Sequence, residues 1–517
     1  MWVLYALLAA VVAVAIYDIR QRKKTILRNF PVVGHFRYWL EAIGPELRQY
    51  IVTNDTEERP FTREQRRWVY ANAKKANTYF GFGTARDIEM SANHLAIKHA
   101  AFPKADPQPG DDDFDPMYSL ACAKVLGAHR GRRRAFRPDS VVNISGMSFG
   151  SLSAPAIEAL NRGASLAGCL HNTGEGGVSN HHLHGGGLVL QIGTGYFGCR
   201  DERGQFDLDR FVELVASHPV QAVEIKLSQG AKPGVGGFLP ASKITPEIAA
   251  ARSIPMDQDC ASPATHSAFH NVDSMLDFVE MLGDASGLPI GIKSAVGESK
   301  FWQDLAEQMA TSERGVDFIT IDGSEGGTGA APLVFADHVA LPLKLALSRV
   351  HQEFATRGIE EHVVFNASGK LGFPEAALFS FALGADLVSV AREAMLAIGC
   401  IQAQKCHTGH CPAGIATQNK WLMRGLDPTL KSARVANYIV ALRKDLLRLS
   451  HACGADHPAQ ISIDAFEILD DRFGARGARE VFMSGKTASG SSSLPATPIA
   501  PATTGTHLPI VDFPSGG

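Results

Sequence analysis

Residues 317–332 read DFITIDGSEGGTGAAP, a short apolar run with β-branched residues that ends in an acid and a glycine-rich loop. A run this short suits a strand buried on both faces, and the loop after it suits backbone that approaches a ligand closely. The same punctuation recurs on either side. Candidate strands are VVNISG near Ile144, LHNTG near His171, LVLQIG near Leu190, AVEIKLS near Glu224, LPIGIKS near Ile290, DFITIDG near Ile319, HVVFNAS near Val364 and DLVSVA near Val388. Between them APAIEALNRGASLA, NVDSMLDFVEMLG, PLKLALSRVHQEFA and PEAALFSFALG carry apolar residues at helical spacing. Eight buried strands alternating with amphipathic helices predict an α/β fold, a (β/α)8 TIM barrel over 141–455 rather than an open doubly wound sheet.

Chemistry in such a barrel sits on the loops that follow the strands. Here those loops read SFGS, NTGEGG, GTGYFG, SQGAKPGVGG, KSAVGE, DGSEGGTGAAP, NASGKLG and AREAML. Glycine-rich turns that lead into helices present backbone N–H groups and a positive dipole end to an anion. Gly326, Gly327 and Thr328 after the sixth strand, and Ser368, Gly369 and Lys370 after the seventh, are the strongest candidates for a phosphate. One such loop alone is as readily an ordinary turn. Together they point to a phosphorylated cofactor or substrate.

Within GCIQAQKCHTGHCPAG, Cys400, Cys406 and Cys411 form C-x5-C-x4-C followed by proline. Thiolates converging from one loop suit zinc or an iron–sulfur cluster, and a structural zinc site wants four protein ligands. His407 and His410 could complete such a site, and three unliganded core cysteines are the bland alternative. An iron–sulfur cluster on three thiolates fits the spacing better, and without a fourth thiolate nearby it is a three-iron form. Cys453 or Cys260 would change that count. Cys122, Cys169 and Cys199 read as small core residues.

The chain has 517 residues, 45% hydrophobic and 20% charged, which excludes a disordered chain and a disulfide-stapled miniprotein. A formal net charge of -3 and the lack of a long basic stripe argue against a nucleic-acid partner. From Trp2 to Tyr17 the sequence WVLYALLAAVVAVAIY is uncharged, and Arg20, Arg22, Lys23 and Lys24 follow it. Residues 1–24 are therefore expected to be a single-pass membrane anchor whose basic flank keeps the catalytic domain cytoplasmic. A cleaved signal peptide and a hydrophobic docking helix are the alternatives. Residues 25–140 read as a mixed helix and loop extension. It holds an acidic stretch at Asp111, Asp112, Asp113 and Asp115 and an arginine cluster at Arg130, Arg132, Arg133, Arg134 and Arg137. Solvated loops are the plain reading of both, and a docking patch for an acidic electron carrier the functional one for the arginines. Residues 456–484 form a C-terminal extension, and 485–517, rich in Ser, Thr, Pro, Gly and Ala, read as a flexible low-complexity tail.

SFGSLSAPA, NTGEGG, KLSQGAKPGVGG, DGSEGGTGAAP and GHCPAGIATQ occur in that order. With them, residues 120–455 resemble the flavin-binding synthase domain of glutamate synthases. The resemblance implies FMN on a (β/α)8 barrel and a 3Fe-4S cluster ligated by Cys400, Cys406 and Cys411. It also implies an oxidoreductase that reductively aminates 2-oxoglutarate. Electrons would enter singly through the cluster, collect on FMN and leave as hydride. By motif, Lys226, Gln229 and Lys232 would face the oxoacid, Glu175 would lie near the reacting centre, and Met147, Ser148, Gln191 and Lys293 would contact FMN. Two carboxylates on the oxoacid need lysine partners, and a lysine near the flavin's pyrimidine end would stabilise its reduced anion. For Lys226 and Lys232 the plain alternative is a solvated loop or an ion pair.

The family's larger members begin with a glutaminase domain and carry a β-helix domain, and neither pattern is found in this sequence. Ammonia would then come free or from a separate subunit. No G-x-G-x-x-G follows a strand, so the expected electron donor is another protein, a ferredoxin-like carrier or a reductase subunit. Tyr196 in TGYFG stands where the family often has arginine, which would alter the substrate pocket. Three other readings remain: an N-methylglutamate-type synthase using a different amine, a membrane-linked amino-acid dehydrogenase, and a non-catalytic electron-transfer subunit.

Overall fold

All eight expected runs become parallel strands: β1 Val142–Ile144, β2 His171–Asn172, β3 Leu188–Ile192, β4 Val220–Lys226, β5 Ile290–Ser294, β6 Phe318–Asp322, β7 Val364–Ser368 and β8 Leu387–Val390. They close into a barrel, with Val388 of β8 in register with Val142 of β1. The computed structural model of the protein describes residues 1–483 apart from 22, 80, 85, 90 and 113. Arg22 of the basic flank, Asp113 of the acidic stretch and the 485–517 tail lie outside the described residues.

Strand side chains are buried nearly throughout, as a sheet covered by helices on its outer face requires. Ile292, Ile319, Ile321 and Phe365 have no exposed surface. Each such side chain contributes about 1.5–3 kcal/mol of transfer free energy. The helix Ala154–Ala167 carries Pro155 in its first turn and ends at Gly168 in the left-handed conformation (φ 64°), which a residue without a Cβ adopts at no steric cost. It packs on the long helix Pro428–Ala452 so closely that a Cβ at Gly163 would lie 2.6 Å from that of Val435.

One unit departs from the strict alternation. Between β2 and β3 the chain makes only a single 3-10 turn, Asn180–His182, in a stretch, 173–187, where six of fifteen residues are glycine, a poor helix former.

The arginine cluster is divided: Arg133, Arg134 and Arg137 are exposed, as a solvated loop would have them, whereas Arg132 turns inward. Arg132 is buried, with Nε 2.9 Å from Asp317 Oδ2 and Nη1 2.7 Å from Glu280 Oε2. Asp317 Oδ2 also accepts from the Ile290 N–H at 2.7 Å. Arg134 donates to the Val220 carbonyl at 3.0 Å and Arg130 to that of Glu313 at 2.7 Å. These groups tie the N-terminal ends of β4, β5 and β6, the end of a barrel that serves stability rather than chemistry.

Segments outside the barrel are bound to each other and to it. His94–Ile97 pairs antiparallel with Phe466–Leu469, which pairs with Ala475–Gly477. The helix Arg63–Ala73, opened by a capping box between Thr62 and Gln65, lies on Pro428–Ala452, where Trp68 meets Tyr438 edge-on. The apolar helix Trp2–Arg20 projects with almost none of its surface covered, and its length and composition suffice to cross a membrane.

Candidate active site

At the C-terminal end of the strands a cavity of about 670 Å³ opens between the strand-following loops and the cysteine loop. Glu175, Lys226, Gln229, Lys232, Lys293, Met147, Ser148, Gln191, Gly327 and Thr328 line it together with Cys400, Cys406 and Cys411. Seven separated stretches of sequence, at 147–148, 175, 191, 226–232, 293, 327–328 and 400–411, thus meet there. Gly326, Ser368, Gly369 and Lys370 are not among the lining residues. Gly369 backs onto Gly323, and the Lys370 ammonium lies 5.3 Å from the ring of Phe61.

Strand β4 supplies two of the central groups. Lys226, its last residue, places Nζ 2.9 Å from Glu175 Oε1 and 3.3 Å from Gln229 Oε1. Burial pushes the Glu175 carboxyl up, but the charge and hydrogen bond of Lys226, with Lys232 and Arg252 behind them, outweigh it and hold the group at about 2. Glu175 is therefore an anchored carboxylate and a poor proton acceptor at neutral pH. Lys232 is 4% exposed, and its ammonium donates to the Gly236 carbonyl at 3.0 Å. Burial lowers its proton affinity, the like charge of Lys226 adds to that, and Glu175 opposes both.

Under the cavity floor Glu224 acts as a hub. One carboxylate oxygen accepts from Asn172 Nδ2 at 2.8 Å and Gln191 Nε2 at 2.6 Å, and the other from Thr320 Oγ1 at 2.6 Å. This fixes the Gln191 amide toward the cavity. Lys293 lies beside it, 3.6 Å from Asp322 Oδ2. Burial alone would neutralise that lysine, yet Asp322 and Glu224 outweigh burial and raise its affinity for the proton.

Arg252 was not anticipated from the sequence. The short helix Pro246–Arg252 carries it under the early loops, where Nη2 donates to the Phe149 carbonyl at 3.2 Å and reaches Ser148 Oγ at 3.4 Å. It is 5% exposed, and its buried Nε has no hydrogen-bond partner among the described residues. A buried guanidinium that lines a cavity is suited to a carboxylate. Glu224 was missed too, although a carboxylate inside a strand buried on both faces is itself a signal that polar partners must converge there.

Tyr196 does not line the cavity. Its buried hydroxyl accepts from the Ser267 and Ala268 N–H groups at 3.1 and 3.0 Å and lies 3.1 Å from His266 Nδ1, while His266 Nε2 is 3.0 Å from the Lys226 carbonyl. It holds the 266–268 loop against the end of β4.

The three cysteines face the same cavity. Three thiols brought to one cavity from one loop are a soft donor set of the kind that an iron–sulfur cluster takes, one thiolate per iron. Burial pushes the Cys400 thiol up to about 11, the Gln402 N–H opposes, and Cys406 and Cys411 add to the rise. Binding iron would displace that proton. Cys453 lies away from the cavity against the Lys98 carbonyl, and Cys260 sits beside Arg252.

A family model described as the conserved region in glutamate synthase matches residues 124–456. A Bacillus subtilis (strain 168) protein named glutamate synthase large subunit-like protein YerD is 38% identical over 477 residues, covering 86% of this chain and 90% of that one. The archaeal glutamate synthase (NADPH) of Methanocaldococcus jannaschii is 35% identical over 345 residues, which span 66% of this chain and 63% of that relative. Among solved structures, the flavin-binding domain of baker's yeast flavocytochrome b2 covers 83% of this chain and 86% of its own at 13% identity and a TM-score of 0.45. That likeness is too slight to bear on function.

Proposed function

Because the chain belongs to the glutamate synthase family and is an enzyme of that type, we propose that it reductively aminates 2-oxoglutarate to glutamate, with FMN and a 3Fe-4S cluster as bound groups and with ammonia and electrons supplied from outside. The observation that carries this reading is the convergence of Lys226, Lys232, Arg252 and Lys293 with three cysteine thiols around one cavity. Such an excess of cations suits a dicarboxylate substrate and a phosphorylated cofactor, both anionic.

When bound, the two groups supply single-electron transfer and the delivery of electrons as hydride. Cys400, Cys406 and Cys411 would hold the iron. Met147, Ser148, Gln191 and Lys293 would contact FMN, with Gly327 and Thr328, which line the cavity, at its phosphate. Gln191, oriented by Glu224, offers a fixed amide, and Lys293 offers a positive charge that its carboxylate neighbours keep protonated. Lys232 and Arg252 would pair with substrate carboxylates, with Gln229 beside them. Glu175, held ionised, would aim the Lys226 ammonium at the reacting centre.

Trp2–Arg20 is proposed to cross a membrane with the barrel on the cytoplasmic side, supported by its bare apolar surface and the basic residues that follow it. The electron donor is proposed to be a separate ferredoxin-like or reductase protein. Incubation of reduced protein with 2-oxoglutarate and either ammonia or methylamine tests the reaction. Glutamate from ammonia is expected. N-Methylglutamate from methylamine alone would replace the proposed donor, and no product with either amine would refute the activity.

A further inference from the structure

The segment between the apolar helix and the barrel presents a second apolar surface. In the helix Gly34–Leu47, Phe36, Trp39, Leu40, Ile43 and Leu47 fall at spacings of three and four, and Ile51 continues the stripe. Such spacing puts them on one face. That face is not packed on the protein: Phe36 is 60% and Trp39 56% exposed. Charged residues occupy another face, where Arg37 pairs with Glu41 at 2.7 Å.

We propose that this stripe docks on a lipid bilayer, with the helix lying in the interfacial plane beside the point where Trp2–Arg20 leaves the membrane. The inference rests on the proposal that Trp2–Arg20 spans. Continuity with that helix favours lipid over a second protein surface. Asp18, buried at the helix's last turn, accepts from the Val32 N–H at 2.9 Å and lies 2.9 Å from His35 Nε2, so the two helices are clamped together. Lys24 sits 4.2 Å from the Tyr38 ring. The connecting residues Arg20, Lys23, Lys24 and Arg28 are basic, which matches an anionic headgroup layer. Tryptophan and phenylalanine on one side of a helix, with charge on the other, is the composition of an interfacial helix.

The docking has a consequence for the site. Glu46 pairs with Lys405 at 2.9 Å, and Gln49 Nε2 donates to the Ile401 carbonyl at 2.9 Å. Beyond them, Gln402 exchanges hydrogen bonds with Phe61, and Tyr70 donates to the Cys400 carbonyl at 2.7 Å. The surface that meets lipid is thus tied directly to the cysteine loop, which brings the side of the barrel where electrons would enter to the bilayer.

The full chain in anionic proteoliposomes, with a photoreactive amino acid in place of Leu8, Phe36, Leu40 or Glu41 in turn, tests this. Lipid adducts are expected from Leu8, Phe36 and Leu40 and not from Glu41. Lipid adducts at Leu8 alone, or protein adducts from a second polypeptide at Phe36 and Leu40, would overturn the docking surface and leave the spanning helix standing. Lipid adducts at Phe36 and Leu40 without Leu8 would keep the surface and remove the span. No lipid adduct at any site would remove both.

Discussion

Replacing Lys232 with alanine isolates the contribution of a cation that has little structural work to do. It is 4% exposed, it lines the cavity, and its ammonium donates to the Gly236 carbonyl at 3.0 Å. Removing it deletes a charge-assisted contact to a substrate carboxylate, about 1.5–3 kcal/mol. At 1.4 kcal/mol per factor of ten, the dissociation constant for 2-oxoglutarate should rise about tenfold to 150-fold. Calorimetric titration of the oxidised protein reads this directly. Lys420→Ala, on the surface away from the cavity, serves as the control. An unchanged dissociation constant in a folded Lys232→Ala variant would refute the assignment of this lysine to the substrate.

Other expectations follow from the same geometry. Glu175 titrates at about 2 when folded against an ordinary 4.5, so its ionised form stabilises the fold above about pH 4.5, and that stabilisation is lost as pH falls toward 2. The stability of Glu175→Gln, followed by denaturant unfolding, should therefore fall less steeply than that of the parent over this range; parallel curves would show that the carboxylate is not held down by its cations. Arg132→Ala leaves Asp317 buried without its partner, at a cost of about 3–5 kcal/mol, and unchanged thermal unfolding would contradict the clamp at the N-terminal end of the barrel. Cys406→Ala should abolish bound iron while leaving the barrel's circular dichroism intact, and full iron content would reject the ligand set.

The eight strands were legible because each is a short apolar run that a glycine-rich loop cuts off, a pattern that burial on both faces imposes on local sequence. The lysines and Glu175 were legible as motifs on those loops. What periodicity could not show is how distant segments meet. Arg252 arrives through an excursion after β4 that includes the Phe238–Leu239 and Cys260–Ala261 hairpin, and nothing in PEIAAAR marks its arginine as facing Ser148. The contact between Phe61 and Gln402 joins residues hundreds of positions apart, so no window of sequence contains it. Within the arginine cluster the inward turn of Arg132 was hidden because a charge run is read locally, whereas its partners Asp317 and Glu280 come from the start of a later strand and from a helix. The missing helix after β2 was hidden by the regularity of its neighbours.

The most direct test of the central claim, that this barrel seats a flavin beside iron held by three thiols, is the visible absorption spectrum of protein purified without air, read with its iron and flavin content. Flavin bands over a broad iron–sulfur background, with about three irons per FMN, are what the site predicts. Colourless protein that takes up neither group on reconstitution would contradict it.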